Sequence, residues 1–267
     1  MSEQDFVTCP TCTQRQRKPR PWRKLPRKGE PRPFTLVMAY YENAGMLARQ
    51  YQELSSYPEE LRRQLELIVV DDGSPTSPAV GAPCGVAQRI FRVGVDVRWN
   101  QDACRNIGMH HAQSAWRLMT DIDHLVLEDT IGHLIWGELD KLKAYRFKRL
   151  TLPDSSIYRP HPNTWAMTGK VFDRAGGYDE RFAGWYGTDG DFVSRVAKVA
   201  AEIQQLESFI VRVPRDVIPD ASTRTYERKT EEDRVQIARI KQERSQLKDW
   251  KPKRLSFPYD LVYNDGG

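Results

Sequence analysis

Two short apolar runs, Phe34-Thr35-Leu36-Val37-Met38-Ala39-Tyr40 and Leu65-Glu66-Leu67-Ile68-Val69-Val70, enclose a stretch over 44–56 in which Met46, Leu47, Tyr51 and Leu54 recur at helical spacing. Strand, helix and strand joined by short connections form a βαβ unit, which commits the chain to a mostly parallel sheet with helices packed on it. Ligand-binding groups in such sheets gather at the carboxyl ends of the strands. The second run ends in Asp71-Asp72-Gly73-Ser74, which puts two carboxylates at such an end.

The remainder of the chain extends the pattern. Residues 88–97 carry Ile90, Phe91, Val93 and Val95 and read as a further strand, and a helix follows Asn100 through about Ala115. Leu118-Met119-Thr120 is a short apolar step into Asp121-Ile122-Asp123, and 126–146 reads as mainly helical. Strands are expected at Thr164-Trp165-Ala166-Met167-Thr168 and Ile210-Val211-Arg212-Val213. From Thr223 to Trp250 the chain is densely charged with few apolar residues, as in a solvent-facing helix packed weakly on a body. At 267 residues there is ample chain for a full core. The expected division is a basic, Pro-rich arm over 1–33, a body over 34–215 with halves meeting at 124/125, and a charged extension over 216–267.

Three further acidic or polar constellations follow Asp71-Asp72. Asp121-x-Asp123 places two carboxylates at a strand exit, where hard divalent cations find oxygen ligands. Asn100 with Arg105-Asn106-x-Gly108 offers amides, a cation and a tight turn near a helix start, suited to phosphate or sugar hydroxyls. Last comes Trp185-Tyr186-Gly187-Thr188-Asp189-Gly190-Asp191, with flat rings to stack on sugar faces and carboxylates able to take a proton from a hydroxyl. Any one of these patterns is weak alone, since an Asp-x-Asp also caps helices. Their order along the chain is what gives them weight.

In that order the chain resembles the GT-A-fold glycosyltransferases of the large inverting family 2 type, from about Phe34 to Ala197. Val69-Val70-Asp71-Asp72-Gly73-Ser74 is similar to the family's first nucleotide-binding strand end. Ala103-Cys104-Arg105-Asn106-Ile107-Gly108 is similar to its helix entry, and Asp121-Ile122-Asp123 to its metal-binding DxD. Gly176-Gly177-Tyr178-Asp179-Glu180-Arg181-Phe182 with Gly184-Trp185 and Asp189-x-Asp191 resembles the acceptor segment of galactosyltransferase-like members. The resemblance implies a nucleotide-sugar donor, a UDP-sugar above others, contacted by Tyr40, Glu42, Asp71, Asp72, Asn100, Arg105 and Asp121. It implies one Mn²⁺ or Mg²⁺ at Asp121 and Asp123. It further implies Asp189 as the base, with Asp191, Trp185 and Tyr186 on the acceptor.

The chain departs from the family in two places. The acidic cluster usually opens with Glu, where this chain has Thr188, and many members supply a further metal-binding His downstream, whereas the last His here is His161, in a loop. A non-catalytic nucleotide- or nucleic-acid-binding protein on the same scaffold is therefore the alternative reading. Nucleotidyl transfer is disfavoured because Ala39-Tyr40-Tyr41-Glu42-Asn43 is no Gly-rich phosphate loop.

Charge adds a hint about the acceptor. The net charge is +5, but residues 15–32 hold nine Lys or Arg against one Glu, a local +8 that leaves −3 for the remainder. Such an arm suits a polyanion, so a hydroxymethylated base in DNA stands beside glycans and small molecules as the acceptor. Cys9-Pro10-Thr11-Cys12 has half a zinc-knuckle spacing, two ligands short of the four that zinc takes, so structural zinc at Cys9/Cys12 is the minor expectation and free thiols the major one. No apolar run approaches a membrane span and no apolar signal core follows Met1, which leads to a cytoplasmic expectation, or the host-cell cytoplasm for a viral chain.

Overall fold

The computed structural model describes residues 6–8, 15–17, 22–24, 30–151, 156–219 and 227–266. Cys9, Cys12 and most of the basic arm lie outside the described residues.

The elements run β1 (Phe6–Thr8), β2 (Arg15–Arg17), a 3-10 turn (Trp22–Lys24), β3 (Phe34–Tyr40), α1 (Ala44–Ser56), α2 (Glu59–Arg62), β4 (Leu65–Asp71), β5 (Ala87–Val93) and α3 (Gln101–His111). Then follow β6 (Trp116–Asp121), β7 (His124–Val126), α4 (Glu128–Trp136), β8 (Ala144–Thr151), β9 (Ser156–Tyr158), β10 (Trp165–Thr168) and α5 (Gly169–Ala175). A 3-10 turn (Glu180–Phe182), α6 (Asp189–Val199), β11 (Ile203–Arg212), α7 (Glu231–Ser245) and β12 (Tyr259–Asn264) complete the chain.

One central sheet has the order β12-β5-β4-β3-β6-β10-β8-β11-β7, with β9 beside β8. The strands β5, β4, β3 and β6 are mutually parallel, as the βαβ reading requires. Every residue of β3 is buried, because a central parallel strand is covered on both faces. Its side chains alternate accordingly. Leu36 and Met38 join Leu47, Leu54, Ile131 and Leu134 from α1 and α4, while Val37 and Ala39 join Cys104, Ile107, Val171 and Phe192 from α3, α5 and α6. The sheet is thus sandwiched between two helical layers. The fold is α/β.

Two expectations are corrected. The stretch 126–146 is helical only over Glu128–Trp136, after which the chain turns through Asp140, whose carboxylate accepts from the Leu142 amide, and enters β8. Tyr145 and Phe147 on β8 are buried between β10 and β11, so tertiary pairing overrides the local helical spacing. The C-terminal extension is not purely helical, since β12 pairs antiparallel with β5 and closes one edge of the sheet. The described end of the basic arm packs on the body. Trp22 is fully buried against α4, its indole N–H donates to Glu128 at 2.8 Å, and Arg32 donates to the Leu134 carbonyl at 2.6 Å. A Cβ on Gly132 would lie 2.1 Å from Trp22 Cγ, so a glycine in α4 makes the indole's seat.

Candidate active site

Asp121 ends β6, and the chain turns at once through Ile122 and Asp123 into β7. Gln50 on α1 holds that turn by donating to the Ile122 carbonyl at 2.6 Å and the His124 carbonyl at 3.0 Å. From the core side Arg105, 1% exposed, donates to Asp121 Oδ1 at 2.7 Å, to Gln101 at 2.8 Å and to Asp102 at 3.2 Å. From the loop after β9, His161 Nε2 lies 3.5 Å from Asp121 Oδ2. Burial alone would raise the Asp121 carboxyl, but the charge and hydrogen bond of Arg105 outweigh it and hold the group below its usual range. Asp123 behaves likewise, with His124 Nδ1 at 2.6 Å from its Oδ1.

The two imidazoles of His124 and His161 lie 4.1 Å apart. Burial, then His124, push His161 down to about 3, so it is neutral at physiological pH and presents a nitrogen lone pair. His161 was read from sequence as a loop residue. Its approach to Asp121 depends on where the β8–β10 connection folds back, which no local spacing reports.

The Arg105-Asn106-x-Gly108 motif acts inside the protein. Asn106 donates to the Tyr178 carbonyl and the Glu180 carboxylate and accepts from the Tyr178 amide, clamping the Gly176–Phe182 loop. A Cβ on Gly108 would meet Val37 Cγ1 at 2.3 Å, so glycine lets α3 lie directly on β3. The Arg105 guanidinium also lies 5.1 Å from the Tyr178 ring centre. Tyr178 donates its hydroxyl to Asn163 Oδ1 at 3.3 Å, and Asn163 Nδ2 donates to Asp189 at 2.9 Å. A continuous chain of contacts therefore runs from Asp121 to Asp189.

Asp189 opens α6 after turns at Gly184 and Gly187, whose φ values of +94° and +108° favour glycine. Asp121, Asp123, Asp189 and Tyr186 all line one cleft of about 830 Å³. Tyr186 packs edge-on against Trp99, 4.5 Å between ring centres, and its amide donates to Asp233 of α7.

Other candidates from the sequence lie elsewhere. Arg105 donates through its two terminal nitrogens to Asp121, Asp102 and Gln101 and is not among the cleft's lining. Tyr40, Glu42 and Asp71 brace the loop after β4. The Tyr40 hydroxyl donates to the Ser77 carbonyl, Glu42 accepts from the Thr76 and Ser77 amides, and Asp71 accepts from the Ser74 and Ala79 amides. Asp191 is buried and paired with Arg195 at 3.0 Å and with Arg244 of α7, so it faces the protein. Trp185 is not among the cleft's lining. Asp72, just past the end of β4, and Asn100, just before α3, are both buried, and the Asn100 amide donates to Asp72 Oδ2. Asp72 Oδ1 and both Asn100 side-chain polar atoms lack protein partners, an unusual state for buried groups. Thr188, at the position expected to be Glu, donates to Asp102.

Sequence reading missed the cleft's cations. Arg146, Arg149, Arg159, Arg212, Arg215, Arg228 and Lys229 all line it. They come from four separate stretches of chain, so no local run of charge announces them.

The residues at Asp121 and Asp123 fit a hard divalent cation by donor chemistry. Two carboxylates held deprotonated at a cleft suit Mn²⁺ or Mg²⁺ with water and phosphate oxygens completing the shell. Among the described residues no three His, Cys, Asp or Glu side chains are already arranged around one point. No helix among them is long and apolar enough to cross a membrane.

No protein-family model and no curated protein matches the chain. Solved structures do. TarS from S. aureus in complex with UDP-GlcNAc superposes with a TM-score of 0.58 at 11% identity, over 82% of this chain and 68% of that one. GalNAc-T7 with UDP, GalNAc and Mn²⁺ gives 0.52 at 13% identity, over 68% of this chain and 43% of that one. The mannosyltransferase PcManGT from Pyrobaculum calidifontis, in complex with GDP-Man and Mn²⁺, gives 0.51 at 18% identity, over 87% and 70%. The chain therefore has the GT-A fold of glycosyltransferases.

Proposed function

We propose that the protein is a nucleotide-sugar-dependent glycosyltransferase that moves a sugar, with inversion, from a UDP-sugar to an acceptor hydroxyl. The observation that carries this reading is the convergence of Asp121, Asp123 and Asp189 on one cleft at the exit of a parallel strand in a GT-A fold. The fold's solved neighbours hold UDP-GlcNAc, UDP with Mn²⁺, or GDP-Man with Mn²⁺, which supports the donor class.

Asp189 is the base in this reading. Asn163 fixes its carboxylate, leaving one carboxylate oxygen to take the acceptor's hydroxyl proton as the acceptor's own oxygen attacks the anomeric carbon. The new bond is C–O to the acceptor, the broken one C–O to the diphosphate, which leaves with the electron pair. Asp121 and Asp123 would hold a divalent cation, which when bound would neutralise charge on that diphosphate. Asp72 and Asn100, with polar atoms lacking protein partners, are the donor-side candidates among the residues expected from sequence. Tyr186, with Trp99, is the stacking surface for a sugar or base.

Calorimetric titration with UDP, GDP, CDP and TDP, with and without Mn²⁺, tests the reading. Metal-dependent binding of one nucleotide, lost in an Asp121→Ala, Asp123→Ala variant, is the expected result. A folded protein that binds none of them is no transferase of this kind.

A further inference from the structure

The charge in the cleft exceeds what the donor can balance. Seven cationic side chains line it against three carboxylates, Asp121, Asp123 and Asp189, among the described residues. With Arg215 and Arg228 set aside, five cations remain, and Asp121 is already neutralised from beneath by Arg105. A nucleotide-sugar diphosphate brings about two negative charges, which one divalent cation offsets, so donor and metal together leave the surplus standing.

The surplus is concentrated at one end. Arg149 on β8 and Arg212 at the end of β11 are diagonal neighbours across a parallel pair in which Ile210 faces Arg149 and Arg212 faces Thr151. Arg212 is also in register with His124, one residue beyond Asp123. Arg159 follows β9 and lines the same wall. Arg149 covers the Tyr158 ring at 5.5 Å, and its Nε is buried with no hydrogen-bond partner. Burial, then Arg212 and Arg159, hold Arg149 below the usual arginine value against the opposing pull of Asp123, the mark of like charges crowded together. Guanidinium forks of this kind match phosphate oxygens bidentately.

Resting on the transferase reading above, we infer that Arg149, Arg159 and Arg212 form a phosphate-binding subsite for the acceptor, so that the sugar is placed on a phosphodiester-linked polymer. The wall they form belongs to β8, β9 and β11, whereas Ala39, Tyr41 and Asn43 line the cleft from the donor-side strand β3 and its exit. A backbone phosphate held there fixes the acceptor strand while a hydroxyl next to it reaches Asp189. The positive cleft also speeds capture of a polyanion.

The test compares three oligomers on the full chain: oligothymidylate, oligomeric glycerol phosphate and a neutral dextran fragment. Wild-type protein is expected to bind at least one phosphodiester oligomer and not the dextran, and which of the two binds tighter identifies the source of the phosphate. An Arg149→Ala, Arg212→Ala variant should bind that oligomer about tenfold more weakly per arginine removed. For a single DNA strand the slope of log affinity against log salt should fall by about 1.4, near 0.7 for each phosphate no longer neutralised. The Arg149→Gln, Arg212→Gln variant keeps side-chain bulk and is the check on folding. UDP with Mn²⁺ should bind both variants as it binds wild type. Failure of both phosphodiester oligomers to bind overturns the subsite, and so does an equal loss of UDP binding, which would assign the arginines to the donor diphosphate. Arginine-dependent oligomer binding by a protein that takes no nucleoside diphosphate would keep the subsite and reject the transferase.

Discussion

Asn163 donates to the Asp189 carboxylate at 2.9 Å and receives the Tyr178 hydroxyl at 3.3 Å, which makes it the last link between the Arg105–Asp121 pair and Asp189. The Tyr178 hydroxyl bond sets which end of the amide faces Asp189. The two acidic centres of the cleft are therefore held in one frame, built around α3.

Replacing Asp189 with Asn keeps the hydrogen bond from Asn163 in reach but removes the proton acceptor. Transfer should fall by about 10²- to 10⁴-fold. Binding of UDP with Mn²⁺ and the melting temperature should stay near wild type, as measured by calorimetry and thermal unfolding.

Asn163→Ala leaves the base in place but unoriented. A loss between about tenfold and a hundredfold in kcat is expected, with little change in nucleotide affinity. A loss of nucleotide binding instead would mean that Asn163 supports the donor pocket.

Arg105→Met removes a buried cation and leaves Asp121 and Asp102 without their partner. Breaking one side of a buried ion pair destabilises by roughly 3–5 kcal/mol, which urea denaturation would read. Retention of full stability would show that solvent readily replaces Arg105 at Asp121.

Burial pushes Asp102 up to about 7 from the model-compound value of 3.8, with Arg105 opposing. Between these values the folded protein keeps a proton that the unfolded chain has released. Stability from this group therefore falls as pH rises from about 4 to about 7, by at most about 1.4 kcal/mol per pH unit. Asp102→Asn should remove that component, so the variant-minus-wild-type stability should climb across this window and level off above it. A difference that stays flat with pH would reject the shifted carboxyl.

Trp22→Ala empties the seat over Gly132 on α4 and should cost about 3–5 kcal/mol. Gly132→Ala introduces an atom where the indole lies and should destabilise by about 1–3 kcal/mol. Both can be followed by chemical denaturation.

The legible parts of the chain were those whose signal is local. The seven-residue run Phe34–Tyr40 and the helical spacing over 44–56 appear at those positions because a strand buried on both faces, and a helix beside it, each need a continuous apolar pattern. Asp121-x-Asp123 and Asp189 were legible as carboxylates at element ends. The region 126–146 was not legible as helix-then-strand, since Tyr145 and Phe147 take their strand from partners on β10 and β11 that are distant in sequence.

What the amino-acid sequence determined alone is the parallel α/β core and the order of its acidic motifs, because hydrophobic periodicity and turn chemistry act over a few residues. The tertiary structure decided the employment of each polar group. It turned Arg105, Asp71 and Asp191 inward to pair with buried partners, and brought His161 to Asp121 across the β8–β10 connection. It also gathered arginines from β8, β11 and their following loops into one cationic wall inside a body whose summed charge outside the arm is negative. Electrostatic energy depends on distance in space, and a chain's composition carries no such distances.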